Sequence, residues 1–258
     1  MSETRGGDHD EYRPKDHKET KPEKQRQKLF QSKAVVRTQS KMSDQAEQSQ
    51  EQQSQEQQSQ SPPPLWVACE TDDLPLLIET LTTAAVDERS PNEAYTPLMV
   101  AANRSSLRVV DYLIRQGADV NAQSDGGETA LMLAARAKDE QAAVNTMTLL
   151  LAAGADPNVV SGGGNSPLME AAYSGHAAAI LLLVQAGSNV NHTNQYGETA
   201  LLVGSLKMGT VAAVKALLAA GSDPKHEDKD GATAADVARQ HNPAVYDFLA
   251  AAHAAATT

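Results

Sequence analysis

A short pattern returns along the chain at a nearly constant interval. It reads Thr96-Pro97-Leu98-Met99, Thr129-Ala130-Leu131-Met132, Ser166-Pro167-Leu168-Met169 and Thr199-Ala200-Leu201-Leu202. Pro64-Leu65-Trp66 precedes these copies, and Thr233-Ala234-Ala235-Asp236 follows them. The third position of the pattern falls at 65, 98, 131, 168, 201 and 235, giving steps of 33, 33, 37, 33 and 34 residues. A second pattern keeps the same phase: Gly117-Ala118-Asp119-Val120-Asn121, Gly154-Ala155-Asp156-Pro157-Asn158, Gly187-Ser188-Asn189-Val190-Asn191 and Gly221-Ser222-Asp223-Pro224-Lys225. A period of this length implies one supersecondary unit per repeat. Each unit is too small to bury its apolar face alone, so the units must stack into a solenoid.

The repeated residues suit two helices per unit. Thr96, Thr129, Ser166, Thr199 and Thr233 are placed to cap a first helix, because a hydroxyl accepts a hydrogen bond from an amide the helix leaves unpaired. Pro97 and Pro167 then fall in the first turn, where a missing amide costs nothing. Small pairs follow at Ala101-Ala102, Ala134-Ala135, Ala171-Ala172 and Gly204-Ser205, allowing neighbouring helices to approach. Val109, Val110, Leu113 and Ile114 have the spacing of a second helix. Gly117, Gly154, Gly187 and Gly221 match a left-handed helix terminus. Gly127, Gly164, Gly197 and Gly231 match the turn into the next unit.

Together these motifs resemble the ankyrin repeat. The resemblance covers residues 62 to about 252 in six units, at about 62–94, 95–127, 128–164, 165–197, 198–231 and 232–252. It implies an all-α solenoid of helix-turn-helix units with β-hairpin fingers between them, and a concave face on which partners sit. The family's usual Thr-Pro-Leu-His ends here in Trp66, Met99, Met132, Met169, Leu202 and Asp236 instead of His. Apolar in five of the six repeats, once per repeat, this position has the spacing of a core stripe, and no soft-metal site is expected from it. The third unit carries four extra residues within 136–143, and the fifth carries one near 206–209; both are expected to lengthen a helix or its turn.

Composition divides the chain. Residues 1–61 are rich in Gln, Ser, Lys and Glu, with Leu29, Phe30, Val35 and Val36 as the main apolar residues. They cannot bury enough surface to offset the entropy of ordering, so a disordered tail is expected ahead of a repeat domain over 62–258. Positions 13–41 hold ten basic residues against three acidic ones, whereas 62–258 hold 11 basic and 22 acidic. The repeat domain thus accounts for the net charge of −11. That balance disfavours nucleic acid as its ligand and favours a basic protein; the basic stretch of the tail leaves open contact with nucleic acid. No apolar run reaches membrane-spanning length and the N-terminus lacks a signal-peptide pattern, so a cytoplasmic or nuclear address is expected. Cys69 is the single cysteine.

No catalytic constellation, cofactor site or metal site is read in the sequence. The histidines are scattered, and Gly162-Gly163-Gly164 lacks the lysine and hydroxyl of a phosphate loop. The expected activity is therefore non-enzymatic binding of a partner protein, as scaffold, inhibitor or chaperone, by a monomer. The alternative is a regulator recruited to nucleic-acid machinery through its tail. Carried over position by position, the family's partner-binding positions are Gln123, Asp125, Glu128, Gln195, Tyr196 and Glu198 on the fingers, with Arg104, Arg136, Tyr173 and Lys207 on the first helices. Tyr173 and Tyr196 stand out because aromatic residues make up only 3% of the chain and the framework requires neither. Asn121, Asn158 and Asn191 match the finger asparagine that is hydroxylated in some ankyrin proteins.

Overall fold

A computed structural model describes residues 64–81, 85–91, 93–207 and 210–255. The disordered tail expected over 1–61 lies outside the described residues, as do Met208 and Gly209 of the expected insertion in the fifth unit. Among the described residues there are twelve helices, paired along the chain: α1 (Pro64–Thr71) with α2 (Leu74–Leu81), α3 (Pro97–Arg104) with α4 (Leu107–Arg115), and α5 (Ala130–Ala135) with α6 (Glu140–Ala152). The remaining pairs are α7 (Pro167–Ser174) with α8 (Ala177–Gln185), α9 (Ala200–Ser205) with α10 (Val211–Ala219), and α11 (Ala234–His241) with α12 (Pro243–Ala255).

Odd-numbered helices stack on odd-numbered ones and even on even, so each unit packs within itself and against the next. The core runs between the two layers. Leu98, Leu131, Leu168 and Leu201 are buried from the first layer, and Val110, Leu113, Leu150, Leu183 and Leu217 from the second. Each such leucine is worth about 2 kcal/mol of burial. Met99, Met132, Met169 and Leu202 are equally buried, which makes the stripe core. Ala101, Ala134 and Ala171 have no exposed surface. At Gly204 a Cβ would stand 3.4 Å from that of Ala172, so the small residues set the close spacing of α7 and α9.

All five hydroxyl residues cap as expected: Thr96, Thr129, Ser166, Thr199 and Thr233 accept from the backbone amide three residues on. Thr96 is further held by its own amide, which donates to the Sδ of Met99 at 3.4 Å. The second-layer helices α4 and α8 have no side-chain cap of their own. Neighbouring repeats supply one: Asp72 accepts from the amide of Val109 at 3.1 Å, and Glu140 from that of Ala178 at 2.7 Å. Glu140 is placed by the four-residue insertion. It lengthens α6 to 13 residues, against nine in α4, α8 and α10, and Asp139 caps the new start.

The fingers reduce the expected hairpin to its turn. Among the described residues no strand forms, and the one isolated β-bridge pairs Glu227 with Thr233. In the four complete fingers a four-residue turn closes on Gly127, Gly164, Gly197 or Gly231. In the first complete finger Gly127 donates to Ser124 O at 2.9 Å and Ser124 to Glu128 O at 3.0 Å. Gly127 has φ +74, the left-handed residue that completes a three-residue hairpin loop. Successive fingers are then tied tip to tip by backbone bonds: Asp125 to Glu93 O, Gly162 to Gly126 O, Gln195 to Gly163 O and Lys229 to Tyr196 O.

Below the tips, Asn121, Asn158 and Asn191 clip each repeat to the next. Asn158 donates to Gly187 O at 3.0 Å and accepts from the amide of Asn189 at 2.8 Å. Asn121 and Asn191 repeat this one unit earlier and one later. Asp87 takes the accepting half of the role in the first unit, through the amide of Asp119. His192 and His226 add Nε2 contacts to the carbonyls of Gly164 and Gly197, at 2.9 and 2.8 Å.

Candidate functional site

The finger bases and the ends of the odd-numbered helices share one face, linked by a polar chain across four repeats. Tyr95 donates its hydroxyl to Glu128 Oε2 at 2.5 Å, and Arg136 pairs with Glu128 Oε1. Arg136 Nε lies 3.6 Å from Glu170 Oε2, and Asn165 Nδ2 donates to Glu170 Oε1 at 3.4 Å. Asn194 continues the chain, donating to Asn165 Oδ1 at 3.0 Å and to Glu198 Oε2 at 2.8 Å. Its own carbonyl oxygen accepts from the amides of Tyr196 and Glu198, fixing the base of that finger.

Burial decides how these groups ionise. The Tyr95 phenol is pushed well above its ordinary range, first by desolvation and then by the Glu128 carboxylate. Glu170 keeps 13% of its side chain exposed, and desolvation raises its pKa against the opposing pull of Arg136 and Asn165. The Cys69 thiol, buried in α1, is pushed up to about 12 by burial and secondarily by Glu70, so it stays protonated at neutral pH and is a poor nucleophile.

The three cations among the expected binding residues are each engaged. Arg104 lies 3.4 Å from Glu70, Arg136 joins Glu128 and Glu170, and the ammonium of Lys207 sits 5.4 Å from the ring centroid of Tyr173. Gln123 is also occupied: its amide donates to Gly127 O and to Val160 O, bridging two fingers. Asp125 and Gln195 are exposed at fingertips, while Glu128 and Glu198 are half-buried at finger bases. Tyr173 and Tyr196 remain open, at 48% and 61% exposure, and Leu206 is exposed beside Lys207.

Tyr95, Glu170 and Asn194 were not among the expected site residues. Glu170 carries a visible signal, however. Four residues beyond the capping hydroxyl stand Val100, Leu133, Val203 and Val237 in other repeats, and only here a carboxylate. Among the described residues no cluster of three or more His, Cys, Asp or Glu is arranged to hold a metal ion, and no helix is long and apolar enough to cross a membrane.

The family model for ankyrin repeats in three copies matches residues 65–161, 138–228 and 168–257. Among solved structures, an ankyrin repeat domain from Acinetobacter baumannii AYE is 32% identical, with a TM-score of 0.61; the match covers 74% of this chain and 97% of that one. No curated protein matches the chain. Altogether 569 solved chains match, so the fold is widespread and selects no partner by itself. Ankyrin repeats are generally protein–protein interaction modules and are typically non-enzymatic. The matched repeats span nearly all of the chain from α1 to α12, and the protein belongs to the ankyrin-repeat family.

Proposed function

We propose that this protein holds a partner polypeptide against its finger-and-first-helix face, without a cofactor, as a scaffold, inhibitor or chaperone. The observation that carries this reading is the exposure of Tyr173 and Tyr196 in repeats whose framework residues are otherwise buried or clipped to a neighbour. Exposed tyrosines supply large contact area at low entropic cost and are favoured at the energetic centres of interfaces. Leu206 extends the apolar part of this surface, and Glu128, Glu170 and Glu198 give it an acidic side that favours a basic partner.

The test is affinity capture from extract with the full chain, beside the same chain carrying Tyr173→Ala, Tyr196→Ala and Arg104→Ala. Melting curves should coincide, since all three side chains are exposed and stabilise the fold little. A protein held by the unmodified chain and lost from the variant identifies the client and places it on this face. Equal recovery by both would remove the face from consideration.

A further inference from the structure

Glu170 stands where the fold asks for an apolar side chain. The equivalent positions hold Val100, Leu133, Val203 and Val237, so nothing in the repeat framework requires a charge there. Its compensation is thin. Arg136 Nε is 3.6 Å from one oxygen and Asn165 Nδ2 is 3.4 Å from the other, whereas charge-assisted bonds to a carboxylate are typically about 2.7–2.9 Å. Arg136 is held more closely by Glu128, whose other oxygen is taken by Tyr95. A carboxylate offers about four acceptor positions, so Glu170 has capacity to spare.

Its surroundings name the missing partner. Tyr173 lies three residues further on the same helix, the spacing that puts two side chains on one helical face. The residue is 48% exposed, and its ring lies 5.4 Å from the ammonium of Lys207, a contact within cation–π range that an incoming cation would displace. A desolvated carboxylate with open lone pairs beside an exposed tyrosine ring is matched by a planar cation that can both stack and donate in pairs. Arginine has that shape, while lysine offers only a compact point charge.

We infer that Glu170 is the specificity residue of this face, selecting a partner segment that places an arginine between the Glu170 carboxylate and the Tyr173 ring. This rests on the proposed binding face. It adds that the choice of arginine is made in one repeat and does not reside in the net charge of the domain.

The test uses random linear peptides displayed on phage and selected on the full chain. Selected peptides should share an arginine. Resynthesised with neutral citrulline at that position, they should bind about tenfold more weakly. Against Glu170→Val, which restores the residue of three sister repeats, arginine and citrulline peptides should bind within about twofold of each other. A merely structural Glu170 would leave that ratio unchanged. An arginine preference that survives Glu170→Val, or selected peptides without arginine, overturns the assignment of Glu170 alone. A selection that yields no peptide lost on Tyr173→Ala with Tyr196→Ala overturns the binding face, and Glu170 with it.

Discussion

The seam between fingers and the row of residues at the ends of the odd-numbered helices lie in the same repeats and obey opposite rules. Along the seam one interaction recurs unchanged: Asn121, Asn158 and Asn191 each bridge a glycine carbonyl and a backbone amide of the following unit. Along the row nothing recurs. Equivalent positions carry Asn103, Arg136, Tyr173 and Leu206, which are polar, cationic, aromatic and aliphatic in turn. A solenoid is stable to the extent that each interface repeats the last, so periodic residues are under structural demand. Aperiodic residues at a fixed geometric position answer to something else, and here that position is open to solvent at Tyr173 and Leu206.

The comparison breaks most sharply at glycines that look alike in sequence. Gly127 and Gly117 both have positive φ, at +74 and +86. A Cβ at Gly127 would stand 2.7 Å from the backbone nitrogen of Gly162, in the next finger; at Gly117 it would meet nothing within 4 Å. Gly127→Ala therefore combines a left-handed alanine with a backbone clash across the seam, and should cost about 3 kcal/mol. Gly117→Ala carries only the conformational term, about 1 kcal/mol. Urea unfolding of the two variants measures the difference, and equal losses would deny the seam its role.

The clip itself is the next step down. Asn158→Ala leaves the Gly187 carbonyl and the Asn189 amide without their partner, near enough to water to be partly solvated, and should cost about 1–2 kcal/mol. Amide exchange should quicken at Asn189 well before the first-layer core responds. Loss spread evenly over the domain would mean that the clip couples repeats no more than any other contact does.

Much of this framework was legible in the sequence because its causes are local and repeated. A hydroxyl before Pro-Leu caps a helix through an amide three residues away, and five copies remove ambiguity about phase. The four-residue insertion was legible as a lengthened helix or turn, and proved to be α6. Of the candidate site, what was legible is exposure where it follows from phase, as at Tyr173 and Tyr196. Gln123 is exposed like Thr193, its counterpart two fingers on, yet its amide is drawn into a bridge to Val160 that depends on the neighbouring finger. Arg104, Arg136 and Lys207 share a sign but find separate partners, a carboxylate for each arginine and the Tyr173 ring for the lysine, and no local pattern shows these pairings. Tyr95 was not legible because its partner Glu128 lies in the next repeat, and Asn194, although it closes its own finger through Tyr196 and Glu198, joins the polar chain only through Asn165 of the preceding finger, beyond the reach of any local pattern.

Glu170 sharpens the comparison with the smallest effect and the opposite sign. A structural residue should stabilise the fold, whereas one retained for recognition can be costly to it. Burial raises the pKa of Glu170 above that of the unfolded chain, so its ionised form weighs against folding. The stability linked to its proton is fully present below the unfolded-state pKa and is lost as pH rises through the elevated folded-state value. Glu170→Val removes that penalty and leaves Arg136 paired with Glu128. It should therefore stabilise the protein by about 1 kcal/mol at neutral pH. The gain should shrink as acidification protonates the native carboxyl, while Val100 and Val203 continue to pack as before. Melting temperatures of the two proteins across that range provide the measurement. A variant less stable than the parent at neutral pH would show that the carboxylate belongs to the framework, and the distinction between recurring and non-recurring residues would fail at this position.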